Sequence, residues 1–401
     1  MKLEFSWVFV SNLIKAFYQW SFVILLTKFF SAQEVGLYTL TLAILSPIFM
    51  LTNMQTRSVL VVDMDDNEGV FLNYLHMRLI TVFLSIIGVF IFFFNKEFVG
   101  LLMGVALLKG VEAIMDIFYG FFQRNNQMKT MSKSIIIKSV LSLVALLICL
   151  SLFKSLLLAL GVIIALNIAV FFVYDYKYIR EKVKLHIRHL KIDKIKNIFL
   201  NSIFLGISVF IMSLITNYPR LKINEILGTK MLGVFGVYAF FMTGLSQVIS
   251  PVEIILRPKF RDAFRERSLK LYKTYILKAF LFILIIGLFT CFLFYFFGDF
   301  LISVLYSKEY SKYLSVIFYL VVAQVFMSFS GLCNIMLQSM QKFKFQALVS
   351  SFMLLLVFLS SDFLILKYNL IGAGYLILLY SVINFLLYLS IFLVNVSSIK
   401  K

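Results

Sequence analysis

The 401-residue chain predicts an all-α, polytopic membrane protein of about twelve transmembrane helices. Three observations point there. Apolar segments follow one another along almost the whole length, each of the roughly 20 residues that a helix needs to cross a bilayer core about 30 Å thick. The composition is 62% hydrophobic and only 14% charged, against about 25% charged in soluble domains. Only 4 prolines stand among 46 Phe and 20 Tyr, which suits many unbroken helices. A β-barrel would show alternating strands of about 10 residues instead of solid apolar runs.

The spans fall at 5–30, 36–56, 77–95, 98–122, 134–153, 155–175, 197–218, 231–251, 275–297, 313–334, 346–366 and 371–395. The first follows Met1-Lys2-Leu3-Glu4 directly. It is too long for a signal h-region and lacks a cleavage site, so it reads as a retained helix. Span 2 opens on Gly36-Leu37-Tyr38 and contains Pro47. The loop after it carries Arg57 and the acids Asp63, Asp65, Asp66 and Glu68, whose spacing is not that of a calcium loop. Short gaps at 31–35, 96–97, 154 and 367–370 demand antiparallel neighbours. Span 6 closes on Tyr174, Tyr176 and Tyr178, an interfacial aromatic belt. Span 7 ends in Asn217-Tyr218-Pro219-Arg220-Leu221-Lys222, where Pro219 should break or kink the helix. Span 8 holds Gly236-Val237-Tyr238 early and Pro251 at its end.

Loop 176–196 is the longest basic stretch. It divides the chain into an N-terminal six-helix lobe (1–175), a basic cytoplasmic linker (176–196) and a C-terminal six-helix lobe (197–401). Gly36-Leu37-Tyr38 recurs as Gly236-Val237-Tyr238 at an offset of 200 residues, an echo between the halves. Two halves of six spans share one orientation, a geometry common in transporters.

The formal charge of +19 is not a nucleic-acid footprint. Lys and Arg fall about three to one on alternate loops, as the positive-inside rule requires, so both termini are cytoplasmic. The basic loops at 176–196 and 257–278 should also meet anionic lipid headgroups. Cys149, Cys291 and Cys333 lie in apolar spans without CxxC spacing, which indicates neither a disulfide framework nor a zinc site. His76, His186 and His189 read as solvated loop or span-end residues.

Function must then lie in the polar groups inside the spans. A charge at mid-bilayer costs about 2.5–3.5 kcal/mol even on the lenient insertion scale, so it faces a cavity or a partner. Asn12, Lys15 and Gln19 share one helical face in span 1, flanked by Ser11 and Tyr18. Lys109, Glu112 and Asp116 share one in span 4, and Gln123 continues it. Lys15 and the two carboxylates lie at matching depth, so a pairing across a shared cavity is geometrically allowed. Two readings stay open: a structural ion pair and a hydrated cavity lined by both stripes. Arg220 is a fixed cation with a planar donor fork suited to phosphate, or else a snorkelling residue at a helix end.

The chain resembles the O-antigen and polysaccharide flippases of the multidrug/oligosaccharidyl-lipid/polysaccharide exporter superfamily. The stretch Lys109-Gly110-Val111-Glu112-Ala113-Ile114-Met115-Asp116-Ile117-Phe118-Tyr119-Gly120, running on through Gln123, Met128 and Ser132, is the most specific part. Gly36-Leu37-Tyr38 with Ser46-Pro47, Arg57 to Asp63, and Asn217-Tyr218-Pro219-Arg220 followed by Gly228 and Gly233 support it. The resemblance implies two six-helix lobes around a central cleft that opens alternately to either side of the bacterial cytoplasmic (inner) membrane. It implies an undecaprenyl-diphosphate-linked oligosaccharide as substrate, membrane lipids around it, and a polysaccharide polymerase with chain-length machinery as partners. Nucleic acid has no part in it. Lys15, Arg220 and Lys28 would supply compensating charge, while Asn12, Gln19, Gln123 and Tyr18 would bind hydroxyls. Lys109, Glu112 and Asp116 would line the cavity, the two carboxylates coupling transport to H+ or Na+. Pro47, Pro219 and Pro251 would serve gating, and no metal or organic cofactor is expected. A drug/cation antiporter of the same superfamily is the nearest rival. A membrane glycan polymerase or sugar transferase is not favoured: outward loops are short, and no Ser/His/Asp, metal or nucleotide motif appears.

Overall fold

The computed structural model describes residues 2–63, 70–180, 192–306, 308–340, 342 and 344–395. Among them the chain is helical throughout, without strands. The helices are α1 (Lys2–Phe29), α2 (Ala32–Asn53), α3 (Thr56–Val62), α4 (Val70–Phe93), α5 (Val99–Arg124), α6 (Met128–Phe153), α7 (Leu156–Val170), α8 (Tyr176–Arg180), α9 (Ile192–Leu227), α10 (Thr229–Arg265), α11 (Leu269–Leu305), α12 (Leu314–Ser339) and α13 (Lys344–Asn395).

Ten stretches are long and apolar enough to cross a membrane by length and composition. Two further crossings complete the twelve. Helix α13 runs 52 residues and breaks at Asn369 (φ 53°), inside the gap expected at 367–370, so it is two spans. Helix α5 has 26 residues, and every stretch of 18 within it contains Lys109, Glu112 and Asp116. Its polar stripe is what sets it apart from the other crossings. Exposed residues such as Phe83, Phe92, Phe172, Phe204 and Leu359 are the surface that lipid solvates.

The chain forms two compact units: residues Met1–Phe29 with Thr41–Ser213, and Phe30–Leu40 with Leu214–Lys401. In the first unit α1 packs on α6, α4 on α5, α3 and α7 on α5, and α6 on α7. Its core is aromatic. Phe71 meets Phe118 and Phe121 at ring separations of 5.4 and 4.8 Å, and Phe118 meets Phe171 at 4.7 Å. In the second unit α12 is central, packed by α10, α11 and α13. Val316, Ile317, Leu320, Ala323 and Cys333 on it are all buried.

Local chemistry sets the corners. Ser31 and Glu34 cap α2 reciprocally: the Ser31 amide donates to Glu34 Oε2 at 2.9 Å, and the Glu34 amide donates to Ser31 Oγ at 3.3 Å. Lys154 (φ 48°) and Ser155, whose hydroxyl accepts from the Leu158 amide at 3.3 Å, turn the chain between α6 and α7 in two residues. Met54 and Gln55, both left-handed, break α2 from α3.

The echoed glycines have a structural role in the second unit. A Cβ at Gly36 would strike the Thr229 carbonyl, one at Gly233 the Ala32 carbonyl, and one at Gly236 the Thr39 side chain. Ala32 and Gly36 on one helix face Thr229 and Gly233 on the other, a small-xxx-small crossing that brings two backbones together.

Several boundaries need correction. Loop 57–76 contains a helix, α3. The linker expected at 176–196 begins and ends in helix, in α8 and the first turn of α9; 181–191, with His186 and His189, lie outside the described residues. So do Asp65, Asp66 and Glu68, while Asp63 accepts from the Tyr74 hydroxyl at 2.8 Å. Basic loop 257–278 is helical except for a turn at 266–268. At 37 residues each, α10 and α11 are about 55 Å long and overhang a bilayer core of about 30 Å. Charge ends a span, not a helix.

Candidate functional site

Pro219 does not end span 7. Helix α9 continues through it to Leu227, and Gly228 (φ 86°) makes the turn. A proline nitrogen cannot donate, so the Ile215 carbonyl loses its helical partner there. Arg220 therefore stands inside a spanning helix, not beyond one. It lines a cavity of about 290 Å³ within the second unit, with Thr216, Pro219, Thr243, Ser246, Gln324 and Tyr380. This volume is at the lower end of small-molecule sites, about 300–1,000 Å³. Most of the remaining lining is apolar, from Phe235, Met242, Met327, Val357 and Leu376. No carboxylate lines it. Arg220 Nη1 donates to Asn217 Oδ1 at 3.1 Å. The rest of the guanidinium has no partner among the described residues. The cavity is thus a low-dielectric chamber with one cation and several hydroxyl or amide groups, suited to an anionic group bearing hydroxyls. Lys222 is separately occupied, 3.0 Å from both Glu225 and Asp362.

In the first unit, α3 carries Arg57 onto α5. Gly120 leaves room for it: a Cβ there would sit 3.1 Å from Arg57 Cγ. Arg57 Nη1 donates to Asp116 Oδ1 at 2.8 Å, and Nη2 donates to Gln123 Oε1 at 3.1 Å. Beneath lies Arg78, 2% exposed, which donates to Asn53 and Thr56 and also feels the Asp116 charge.

A third group is sealed in the same unit. Lys138 Nζ lies 2.6 Å from Asp175 Oδ2, and both side chains are buried. Ser134 donates to the same oxygen at 3.0 Å, and Lys138 also donates to the Tyr119 hydroxyl at 3.2 Å. Asp175 closes a π-helical turn, Phe171–Asp175, that ends α7. Such turns re-aim a side chain by one position.

A family model described as polysaccharide biosynthesis protein matches residues 3–264, more than half of the chain. The chain belongs to that family. Capsular polysaccharide biosynthesis protein CapF of Staphylococcus aureus, a relative, is 26% identical over 377 residues, which are 93% of this chain and 94% of CapF. Among solved structures, an inward-facing multidrug resistance MATE family transporter of the MOP superfamily matches with a TM-score of 0.80 at 15% identity, over 96% of this chain and 95% of that one. A MOP superfamily transporter from Pyrococcus furiosus matches with a TM-score of 0.67 at 14% identity, over 98% and 95%. At these identities the likeness shows the fold: this family member is a multi-pass membrane protein with the architecture of MOP transporters.

The predicted site residues are spread over both units. Asn12, Lys15 and Gln19 form an exposed row on α1. Glu112 is exposed on α5 beside Tyr18, which hydrogen-bonds Ser142, while Lys109 is half-buried. Lys28 is exposed at the end of α1. Pro47 is buried within α2, and Pro251 lies within α10. The pairing of Lys15 with Asp116 does not occur: Arg57 holds Asp116 instead, because α3 folds back over α5. Arg57, Arg78 and Lys138 count in the sequence among the Lys and Arg that set the topology, and the structure gives each a polar partner instead. The signal for Lys138 was available, since it falls inside predicted span 5, where a lone Lys requires a partner.

Proposed function

We propose that this protein moves undecaprenyl-diphosphate-linked oligosaccharide units across the bacterial cytoplasmic (inner) membrane by alternating access, in the making of a surface polysaccharide. Family membership and the CapF relationship support the polysaccharide setting. The observation that carries the substrate class is the Arg220 cavity: one guanidinium, no carboxylate, and a ring of hydroxyl and amide groups inside a spanning region. A desolvated cation repels a cationic drug and attracts a phosphate. The cavity fits part of the head group, such as a phosphate or a first sugar, and the prenyl chain stays in lipid. The exposed charges Lys15, Lys28 and Glu112 lie on spanning helices, so they look into water. In this reading they line the hydrated path of the glycan, and Glu112 is the candidate for coupling to H+ or Na+. Chemistry on the substrate is not needed: translocation requires binding and release only. Both termini are cytoplasmic, and the enzymes that polymerise the units act after this step.

The test is deletion of the gene from the cell that encodes it, followed by return of wild type or Arg220→Gln at matched membrane levels. Surface polysaccharide should return with wild type and fall at least tenfold with Arg220→Gln. Full restoration by Arg220→Gln would remove the cavity from the account. Unchanged glycan on deletion, with raised sensitivity to cationic drugs, would favour the antiporter.

A further inference from the structure

The Arg57 site has a property that the Arg220 cavity lacks: it already holds an anion. Asp116 supplies a carboxylate to a guanidinium at 2.8 Å, yet the two side chains remain 30% and 38% exposed. The pair is open, so a competing anion can reach it without unfolding anything. Behind it Arg78 is buried, its Nε without a partner among the described residues. Arg78 donates to Asn53 and Thr56 and does not pair with Asp116, but it feels the same carboxylate, so these three groups together carry an excess of one positive charge. A second fixed polar group, Gln123, orients the Arg57 fork by accepting from Nη2 at 3.1 Å. Arginine forks bind phosphate in the same bidentate manner as carboxylate, and phosphate brings more charge and a third oxygen.

We propose that Arg57, backed by Arg78, is a phosphate-recognition site in the first unit, and that Asp116 is its resident counter-ion, displaced when a phosphate arrives. This rests on the flippase reading for the identity of the phosphate, a prenyl diphosphate, but the exchange itself does not. Asp116 is a surrogate ligand that keeps Arg57 aligned when the site is empty of substrate and weakens binding enough for release.

The experiment is direct binding to the purified full-length protein in detergent. Three probes are used: farnesyl diphosphate, inorganic pyrophosphate, and a short-chain phosphatidylglycerol. Asp116→Asn removes the competitor and keeps the shape, so it should tighten farnesyl diphosphate about tenfold, the worth of about one charge-assisted hydrogen bond. Arg57→Gln should weaken it about tenfold, and the double variant should bind as weakly as Arg57→Gln alone. Arg57→Lys keeps the charge and loses the fork; it covers the case in which Arg57→Gln does not fold, and should bind more weakly than wild type. Unchanged or weaker binding by Asp116→Asn would overturn the proposal, as would tightening that survives in the double variant. Equal tightening for phosphatidylglycerol would assign the site to membrane headgroups and overturn its substrate role. Equal tightening for pyrophosphate supports recognition of the phosphates themselves. If the binding pattern holds while deletion leaves surface glycan unchanged, the flippase reading falls and the anion site stands. If glycan depends on the protein but the pattern fails, only the site falls.

Discussion

Cutting the Lys138–Asp175 pair one side at a time should be far more damaging than removing it whole. Asp175 has no exposure and Lys138 has 8%. Replacing Lys138 by Met would leave a buried carboxylate with one donor, Ser134 at 3.0 Å, while its other oxygen already lacks a partner among the described residues. Replacing Asp175 by Leu would leave a buried ammonium with the Tyr119 hydroxyl at 3.2 Å and its ring at 5.2 Å. Each single change should cost about 3–5 kcal/mol, the usual penalty for an uncompensated buried charge. The double variant Lys138→Met/Asp175→Leu keeps apolar volume and strands no charge, so it should lie within about 2 kcal/mol of wild type. The coupling energy is then at least about 4 kcal/mol, above the range of about 0.5–3 kcal/mol seen for ordinary contacts. Reversible unfolding in mixed micelles, run as a double-mutant cycle, measures it. Additive losses, with the double variant as unstable as the sum of the singles, would refute the reasoning.

Three further outcomes follow from the same structure. Gly233→Val should separate α2 from α10, since its side chain meets the Ala32 carbonyl; yield of folded protein should drop sharply, whereas Gly88→Val, with open space around it, should not. Glu253, past the end of its span, has its carboxyl pushed up from the ordinary value by burial, with Arg257 opposing. Its neutral form is favoured by folding, so its contribution to stability is present below the usual carboxylate range and is lost as pH rises through the raised value. Glu253→Gln should therefore raise the melting temperature at neutral pH, with the difference vanishing on acidification. Glu112→Gln should reduce transport or flatten its dependence on an ion gradient in vesicles; full transport with an unchanged gradient dependence would remove Glu112 from coupling.

The spans were legible because a bilayer imposes one length and one composition on every crossing. The gap at 367–370 and the tight turn at Lys154 were legible for the same reason. Two things were not. A helix may continue past the membrane on charged residues, so α10 and α11 outran their spans, and α9 carried Pro219 internally. Partner choice was also hidden: helical spacing put Asp116 on a face, but only the fold of α3 onto α5 decided that Arg57 would meet it. Arg220 was found from sequence, since a cation directly after a helix-breaking proline at the end of a span is conspicuous; that the helix runs on through Pro219 and encloses it was not. The Gly-x-Tyr echo was visible as a repeat, and the structure gives it a mechanical role as a close helix crossing.

The central claim is movement of a lipid-linked anion across the bilayer. The most direct test is the leaflet in which the lipid-linked oligosaccharide resides, read in spheroplasts of the deletion strain with a membrane-impermeant glycosidase or lectin. Wild type should expose the unit at the outer surface, and Arg220→Gln should leave most of it protected. If the unit stays protected while wild-type protein is correctly inserted, or is equally exposed without it, the account is contradicted.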